Sequence, residues 1–502
     1  MPALRIMVQG TGSYVGKSVV TAALCRHFYK QGYRVAPFKA QNMSNNSYVT
    51  ASGGEIGRAQ AFQAAACGIE ATVEMNPVLL KPSSDMGSQV VVLGKRVAVL
   101  RAREYHEYQS QLVGIVRDSF EKLAAQYDVV VIEGAGSPAE INLRTFDIVN
   151  MWVAKMANAP VLLVGDIHVG GVFAWLVGTL DLLQPDERAL VKAFIINKFR
   201  GDRSLLDNGI AFLDHRTGKK TLGVLPFVPD LRVEEEDGVK ESQQPDTPGA
   251  ASRKLRVSVI HFPRISNSTD FECFADESDV SLQYLTTVPD PSEPNPDAVI
   301  LPGTKSTVDD LAFLRSSGLE NYLRAVRAKK VPIVGICGGF QALGTKILDH
   351  DKVEASTSVT GGLGFLEVVT RFERNKMTVQ VQGVSVQSGS EVFGYEIHMG
   401  QTERSRDSRP LFHITKEQNA SVDRYDGCVS DDGLVWGTYI HGLFDAPGFR
   451  REFLNQLRAR RGWEPLAPHS GPSREAVLDS LADLVRAHLD CAMLSQILER
   501  RV

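Results

Sequence analysis

No run of apolar residues in this 502-residue chain approaches the roughly 20 that a membrane-crossing helix needs. Cysteine is sparse: Cys25, Cys67, Cys273, Cys337, Cys428 and Cys491 stand apart with no CxxC pair. That excludes a zinc ribbon and a disulfide framework, and it fits a reducing compartment. Basic charge is not in excess either. Lys and Arg number 55 against 59 Asp and Glu, a formal charge of −4, and the two signs are interspersed, so no basic stripe exists on which a nucleic acid backbone would lie. Internal repeats are absent. The opening Met-Pro-Ala-Leu-Arg-Ile-Met-Val enters a strand pattern at once, without the charged-then-apolar plan of an export signal, so a cytoplasmic location is expected.

What the chain does have is the balance of a globular protein, 43% hydrophobic and 23% charged, with length for two large domains. The first half alternates continuous apolar runs (Arg5 to Gln9, Arg34 to Phe38, Asp128 to Glu133, Pro160 to Asp166, Ala193 to Asn197) with helix-length segments. Runs of that kind, buried on both faces, predict a parallel sheet of βαβ units. The alternation restarts at Arg256 to His261, Ala298 to Leu301, Pro332 to Ile336 and Leu434 to Ile440. The expected architecture is α/β: two doubly wound parallel-sheet domains at 1–235 and 255–455, a Pro-rich linker at 236–254, and a helical tail at 456–502. In that tail Val477, Leu478, Leu481, Leu484 and Val485 recur at helical spacing.

The first strand leads into Gly10-Thr11-Gly12-Ser-Tyr-Val-Gly16-Lys17-Ser18 and then a helix-forming run. A glycine turn between strand and helix lets backbone N–H groups surround phosphate oxygens, Lys17 reaches the terminal phosphates and Ser18 ligates magnesium. Five residues separate Gly10 from Gly16 where the strict motif has four, so the loop is a variant. Glu133 closes the buried run Asp128-Val-Val-Val-Ile-Glu133 ahead of Gly-Ala-Gly136, where a magnesium ion beside a nucleotide would want an acidic partner. Taken alone it is an ordinary strand-end charge. Asn197-Lys198 reads either as a base-contacting turn or as a solvated loop.

In the second half, Val-Gly-Ile-Cys337-Gly-Gly-Phe-Gln341 places a cysteine where a strand turns sharply into a helix, an arrangement that exposes a nucleophile and aims a helix N-terminus at it. His441 closes a strand late in the same domain, positioned to act as base and then as acid toward departing ammonia. The N–H groups of Gly338 and of Gly303 or Thr304 are candidate oxyanion donors, with Gln341 joining them in the expected glutamine-binding set.

These motifs together resemble the triad glutamine amidotransferases, in their cobyric acid synthase branch, over nearly the whole chain. The loop spacing is similar to that of dethiobiotin synthetase. The more specific segments are Phe38-Lys39-Ala-Gln41-Asn42-Met-Ser-Asn45-Asn46-Ser, Glu55-Ile-Gly-Arg-Ala-Gln60, Met75-Asn-Pro-Val-Leu-Leu-Lys-Pro82, Glu133 to Asn142, Asn197-Lys-Phe-Arg-Gly-Asp202, Leu301-Pro-Gly-Thr-Lys-Ser306 and Gly394-Tyr-Glu-Ile-His-Met-Gly400. The resemblance implies ATP- and glutamine-driven amidation of the peripheral b, d, e and g carboxylates of adenosylcobyrinic acid a,c-diamide. It implies ATP and Mg2+ at the phosphate loop, and Lys39, Gln41, Asn42, Asn45 and Asn46 as substrate-binding candidates. Three departures stand out: Leu443 occupies the place of the glutamate usual in the wider amidotransferase class after the catalytic histidine, an absence the cobyric acid synthase branch shares, His168 and Val169 replace an acid and an arginine, and Leu231-Arg-Val-Glu lacks a proline. The rival within the family is the enzyme that amidates the a and c positions. The rival of another class is a nucleotide switch with an inactive glutaminase-like module, against which the intact Cys337 and His441 argue.

Overall fold

The computed structural model describes residues 2–84, 87–228, 254–354, 357–469 and 473–501. The expected linker, apart from its last residue, and the segment beginning at Leu231 lie outside the described residues.

The first unit is built on six parallel strands in the spatial order Lys220–Pro226, Val191–Phe199, Val161–Asp166, Leu4–Gly10, Val129–Glu133, Val35–Phe38. The three central strands are almost wholly buried because helices cover both faces, and this is why they read as unbroken apolar runs. Five of the six were legible in the sequence. Lys220–Pro226 was not, since it is an edge strand with an exposed start and carries Gly223 and Pro226. The second unit has the order Val280–Leu285, Leu255–Ile260, Ala298–Leu301, Ile333–Ile336, Val435–Thr438, all parallel, closed by a short antiparallel strand Cys428–Val429.

Each unit also carries an antiparallel sheet that parallel-sheet patterning does not announce. In the first, Val78–Ser84, Gly87–Val92 and Lys95–Arg101 form a meander edged by Gln41–Met43. In the second, the long pair Val368–Ser385 and Glu391–Arg404 dominates a sheet that leans toward the first unit. There Gln380 Nε2 donates to the Val49 carbonyl at 2.7 Å.

A buried charge cluster joins the units. Glu55 pairs with Lys81 at 2.5 Å and with Lys376 of the long strand Val368–Ser385. Burial opposes ionisation of Glu55, but Lys376, Lys81 and Lys305 outweigh it and hold the carboxyl well below the usual carboxylate range.

The tail behaves as its periodicity predicts in being helical, but it is two helices, Arg474–His488 and Cys491–Leu498. Asp490 separates them and caps the second, accepting from the Met493 N–H at 2.9 Å. Both return to the first unit: Leu478, Leu481, Val485, Leu494 and Ile497 share a core with Ile6, Val8 and Val35. Arg26 meets Glu475 at 2.5 Å and Asp479 at 2.6 Å. The approach is close enough that a Cβ on Gly223 would sit 2.1 Å from the His488 carbonyl oxygen, which only glycine permits. The preceding helix, Pro447–Arg460, runs through residue 455 and packs on the second unit, where Phe449, Phe453, Leu454 and Leu457 enter its core.

Candidate active sites

Three neighbouring parallel strands of the second unit deliver their carboxyl ends to one place. Ile333–Ile336 ends at Cys337, whose backbone takes φ 51°, ψ −108°, a conformation that a non-glycine residue adopts only under strain. The strain is held by the Cys337 N–H donating to the Thr438 carbonyl at 2.8 Å and by the helix Gly338–Leu343 that follows at once. On one side, Ala298–Leu301 leads to Gly303 and Thr304. A Cβ built on Gly338 would lie 3.1 Å from the Thr304 nitrogen, so the two residues expected to donate to the oxyanion are adjacent at the start of the helix that follows Cys337. On the other side, Val435–Thr438 leads to His441, whose Cε1 would be 2.8 Å from a Cβ on Gly303. Gln341 is buried next to Cys337, but its amide is engaged, accepting from Thr307 Oγ1 at 2.7 Å and donating to Tyr439 at 3.3 Å. It braces the helix behind the nucleophile.

Sequence reasoning left open what orients His441. The answer in the fold is Asp270, on the turn Ser268–Asp276: its Oδ2 lies 2.7 Å from His441 Nδ1, and its Oδ1 accepts from the Gly442 N–H at 2.9 Å. Burial by itself would lower the His441 pKa, yet Asp270 and the neighbouring Cys337 overcome it and push the value up to about 10. Tyr395 lies against the imidazole with centroids 5.4 Å apart and planes at 21°. Sequence reasoning missed Asp270, and the signal that could have found it is topological. It is the first carboxylate after the carboxyl end of Leu255–Ile260, a strand of the same parallel sheet.

In the first unit, the loop between Leu4–Gly10 and the helix Lys17–Lys30 has the form the spacing predicts. Gly16 takes φ 95° at the start of the helix, and a side chain there would also strike Asn197 Nδ2 at 2.2 Å. Thr11 anchors the loop by donating its N–H to the Val164 carbonyl at 2.9 Å, while space is open around Gly12. Lys17 folds over the loop, donating to the carbonyls of Gly12 at 2.8 Å and Gly136 at 3.1 Å. Ser18 Oγ donates to Glu133 Oε1 at 2.8 Å, which puts the two expected magnesium ligands side by side. Glu133 is wholly buried and also meets Lys39 at 3.0 Å and Gln63 at 2.5 Å. Asn197 donates to the Val15 carbonyl at 2.9 Å and so supports the phosphate loop.

Residues 6–240 match the model of the CobQ/CobB/MinD/ParA nucleotide binding domain, and residues 256–449 that of the CobB/CobQ-like glutamine amidotransferase domain. The chain is 49% identical to the cobyric acid synthase of Sorangium cellulosum, covering 100% of both chains. It is 47% identical to that of Pelotomaculum thermopropionicum, covering 99% of this chain and 97% of the relative. A third such enzyme, from Moorella thermoacetica, is 48% identical over 99% of this chain and 97% of its own length. The chain belongs to the cobyric acid synthase family. It is an enzyme of glutamine-dependent amidation in cobalamin biosynthesis, and its nucleotide-binding half supports the use of ATP.

The segments by which the chain resembled cobyric acid synthases occupy distinct places. Lys39 pairs with Glu133. Gln41 accepts from Tyr105, and Asn42 donates to Gln60 at 3.0 Å. The Asn45 Oδ1 is buried and has no partner among the described residues. Asn46 reaches across to the second unit, where its Oδ1 accepts from the Ser268 N–H at 3.1 Å. At the position of the altered acid and arginine, His168 stacks on Phe227 and Val169 is exposed. No helix among the described residues is long and apolar enough to cross a membrane.

Proposed function

We propose that the chain amidates the b, d, e and g carboxylates of adenosylcobyrinic acid a,c-diamide in the cytoplasm, consuming one ATP and one glutamine for each amide. The observation that carries the reading is the convergence of Cys337, His441 and Asp270 with the N–H groups of Gly338 and Thr304, in a chain whose other half presents a phosphate loop. Glutamine binds with its side-chain carbonyl at those N–H groups. The Cys337 sulfur attacks the amide carbon, and the developing oxyanion is stabilised by the two donors, a contribution worth about 10²–10³ in rate per donor. His441, protonated and held in place by Asp270, gives its proton to the departing ammonia, and water then releases glutamate from the thioester.

In the first unit, Lys17 and the loop N–H groups hold the phosphates of ATP against a substrate carboxylate. Phosphoryl transfer gives an acyl phosphate and ADP, and ammonia displaces phosphate to leave the amide. Ser18 and Glu133 would hold magnesium, which when bound neutralises phosphate charge. Two protein oxygens suit that ion, since it keeps water and phosphate in most of its coordination positions, and no cluster of three or more His, Cys, Asp or Glu exists among the described residues.

The test is product analysis with ATP, glutamine and either adenosylcobyrinic acid a,c-diamide or cobyrinic acid as the acceptor. Four successive mass losses of about one unit are expected from the a,c-diamide, one for each carboxylate converted to amide. Conversion of cobyrinic acid to its a,c-diamide instead would favour the sister enzyme, and turnover of ATP with no amide formed would favour a nucleotide switch.

A further inference from the structure

The catalytic histidine of the second unit is held from two sides by the first. On one side, the turn that carries Asp270 is pinned by a reciprocal pair: the Ser47 N–H donates to Asn267 Oδ1 at 2.9 Å, and Asn46 Oδ1 accepts from the Ser268 N–H at 3.1 Å. Asn267 is in the left-handed region at φ 53°, which an asparagine tolerates and which lets its side chain face the partner backbone. On the other side, Tyr395, which stacks on His441, receives Arg58. That guanidinium donates to the Tyr395 hydroxyl at 3.2 Å, lies 5.8 Å from the ring centroid, and reaches Asp445 at 3.4 Å.

Arg58 and Asn46 are themselves joined, the Arg58 N–H donating to the Asn46 carbonyl at 3.1 Å. The contacts therefore close a ring through Asn46, Ser268, Asp270, His441, Tyr395 and Arg58, every member of it buried. Arg58 is also the first residue of the helix Arg58–Ala66, and five residues along the same helix Gln63 donates to Glu133 at 2.5 Å. At 1.5 Å per residue that is about 7–8 Å of rigid backbone between the two contacts.

We propose that Arg58 is a positioning residue for His441, contributed by the phosphate-loop unit, and that the helix Arg58–Ala66 ties the glutaminase to the occupancy of the site around Glu133. The inference rests on the glutaminase reading given above. Gln63 donates to Glu133 Oε2, so a metal held by Glu133 would have to share that carboxylate with Gln63, and a shift of the helix would be felt at Tyr395. By linkage, glutamine bound at Cys337 then changes the affinity for ATP by the same factor as ATP changes that for glutamine.

The experiment uses the full chain and measures glutamate release with and without magnesium and ATP, alongside amide formation from ammonium salt. Four proteins are compared: wild type, Arg58→Met, Arg58→Lys and Asn267→Gly. Arg58→Met keeps the apolar stem and removes the fork. It is expected to lower kcat for glutamine hydrolysis by at least about fivefold with KM less affected, and to remove the response to ATP, a loss in the range of known couplings. Amidation from ammonium should stay within about twofold, since neither lysine nor phosphate contacts of that half are touched. Arg58→Lys should restore part of the rate, and Asn267→Gly, which keeps the backbone conformation accessible, should repeat the defect. Unchanged glutamine turnover in both Arg58→Met and Asn267→Gly overturns the proposal, as does parallel loss of ammonium-driven amidation. If wild type itself releases no glutamate, the glutaminase reading fails, an outcome distinct from an active wild type with indifferent variants.

Discussion

The phosphate loop and the thiol site both sit at the carboxyl ends of parallel strands, yet they are put together differently. The loop is contiguous: Gly10 to Ser18 carries the expected backbone donors, the lysine and the hydroxyl, while Glu133 and the supporting Asn197 come from other strands. The thiol site gathers Asp270, Thr304, Cys337 and His441 from four separate strand ends, and its two ends, Asp270 and His441, are 171 positions apart. A contiguous site is shaped by local conformation and survives small movements of the sheet. A gathered site depends on every strand holding register, and its geometry is open to influence from whatever packs on its connecting turns, here the first unit.

Substitutions sharpen that contrast in descending order of effect. His441→Ala removes the acid-base group, and glutamine-dependent amidation should fall by about 10²–10⁴-fold, with ammonium-dependent amidation retained. Asp270→Asn should cost about 10²-fold on the same assay and should also move the pH profile. The native His441 pKa, raised to about 10, means that the stabilisation of the imidazolium is complete below the ordinary histidine value near 6.5 and is lost as pH rises through about 10. Without the carboxylate, burial pulls the value down, so the alkaline limb of glutamine hydrolysis should shift to lower pH. An unshifted limb would remove Asp270 from the site.

Smaller effects belong to the contiguous site and its support. Glu133→Gln keeps shape and drops one charge, so the magnesium concentration for half-maximal synthesis should rise by at least the roughly tenfold that loss of an outer partner costs. Superimposed magnesium titrations of the two proteins would make the carboxylate structural. Leu481→Ala, at a wholly buried tail position, should leave both activities nearly intact at low temperature while destabilising the first unit by about 2–5 kcal/mol, read as a lower denaturation midpoint.

The same contrast explains what could be read from the chain. Lys17, Ser18, Cys337 and His441 announce themselves because glycine spacing and strand-to-helix punctuation are local signals. Asp270 did not, because nothing around Ser-Asn-Ser-Thr-Asp distinguishes it until the sheet order brings Leu255–Ile260 beside Ala298–Leu301. The antiparallel pair Val368–Ser385 and Glu391–Arg404 was missed for a related reason: one face is exposed along much of its length, so it lacks the continuous apolar runs that mark buried parallel strands. The tail was foreseen as a helix but not as part of the first unit's core, since periodicity tells which face is buried and not against what.

Two separable chemistries share this chain, and ammonia is the one reactant that passes between them. The most direct test of that separation measures corrinoid amide formed from glutamine and, separately, from ammonium salt, in wild type and in Cys337→Ala. Without a nucleophile the variant should make no amide from glutamine while forming it from ammonium at close to the wild-type rate. Loss of both activities in a folded Cys337→Ala protein, or glutamine-dependent amidation that survives the substitution, would contradict it.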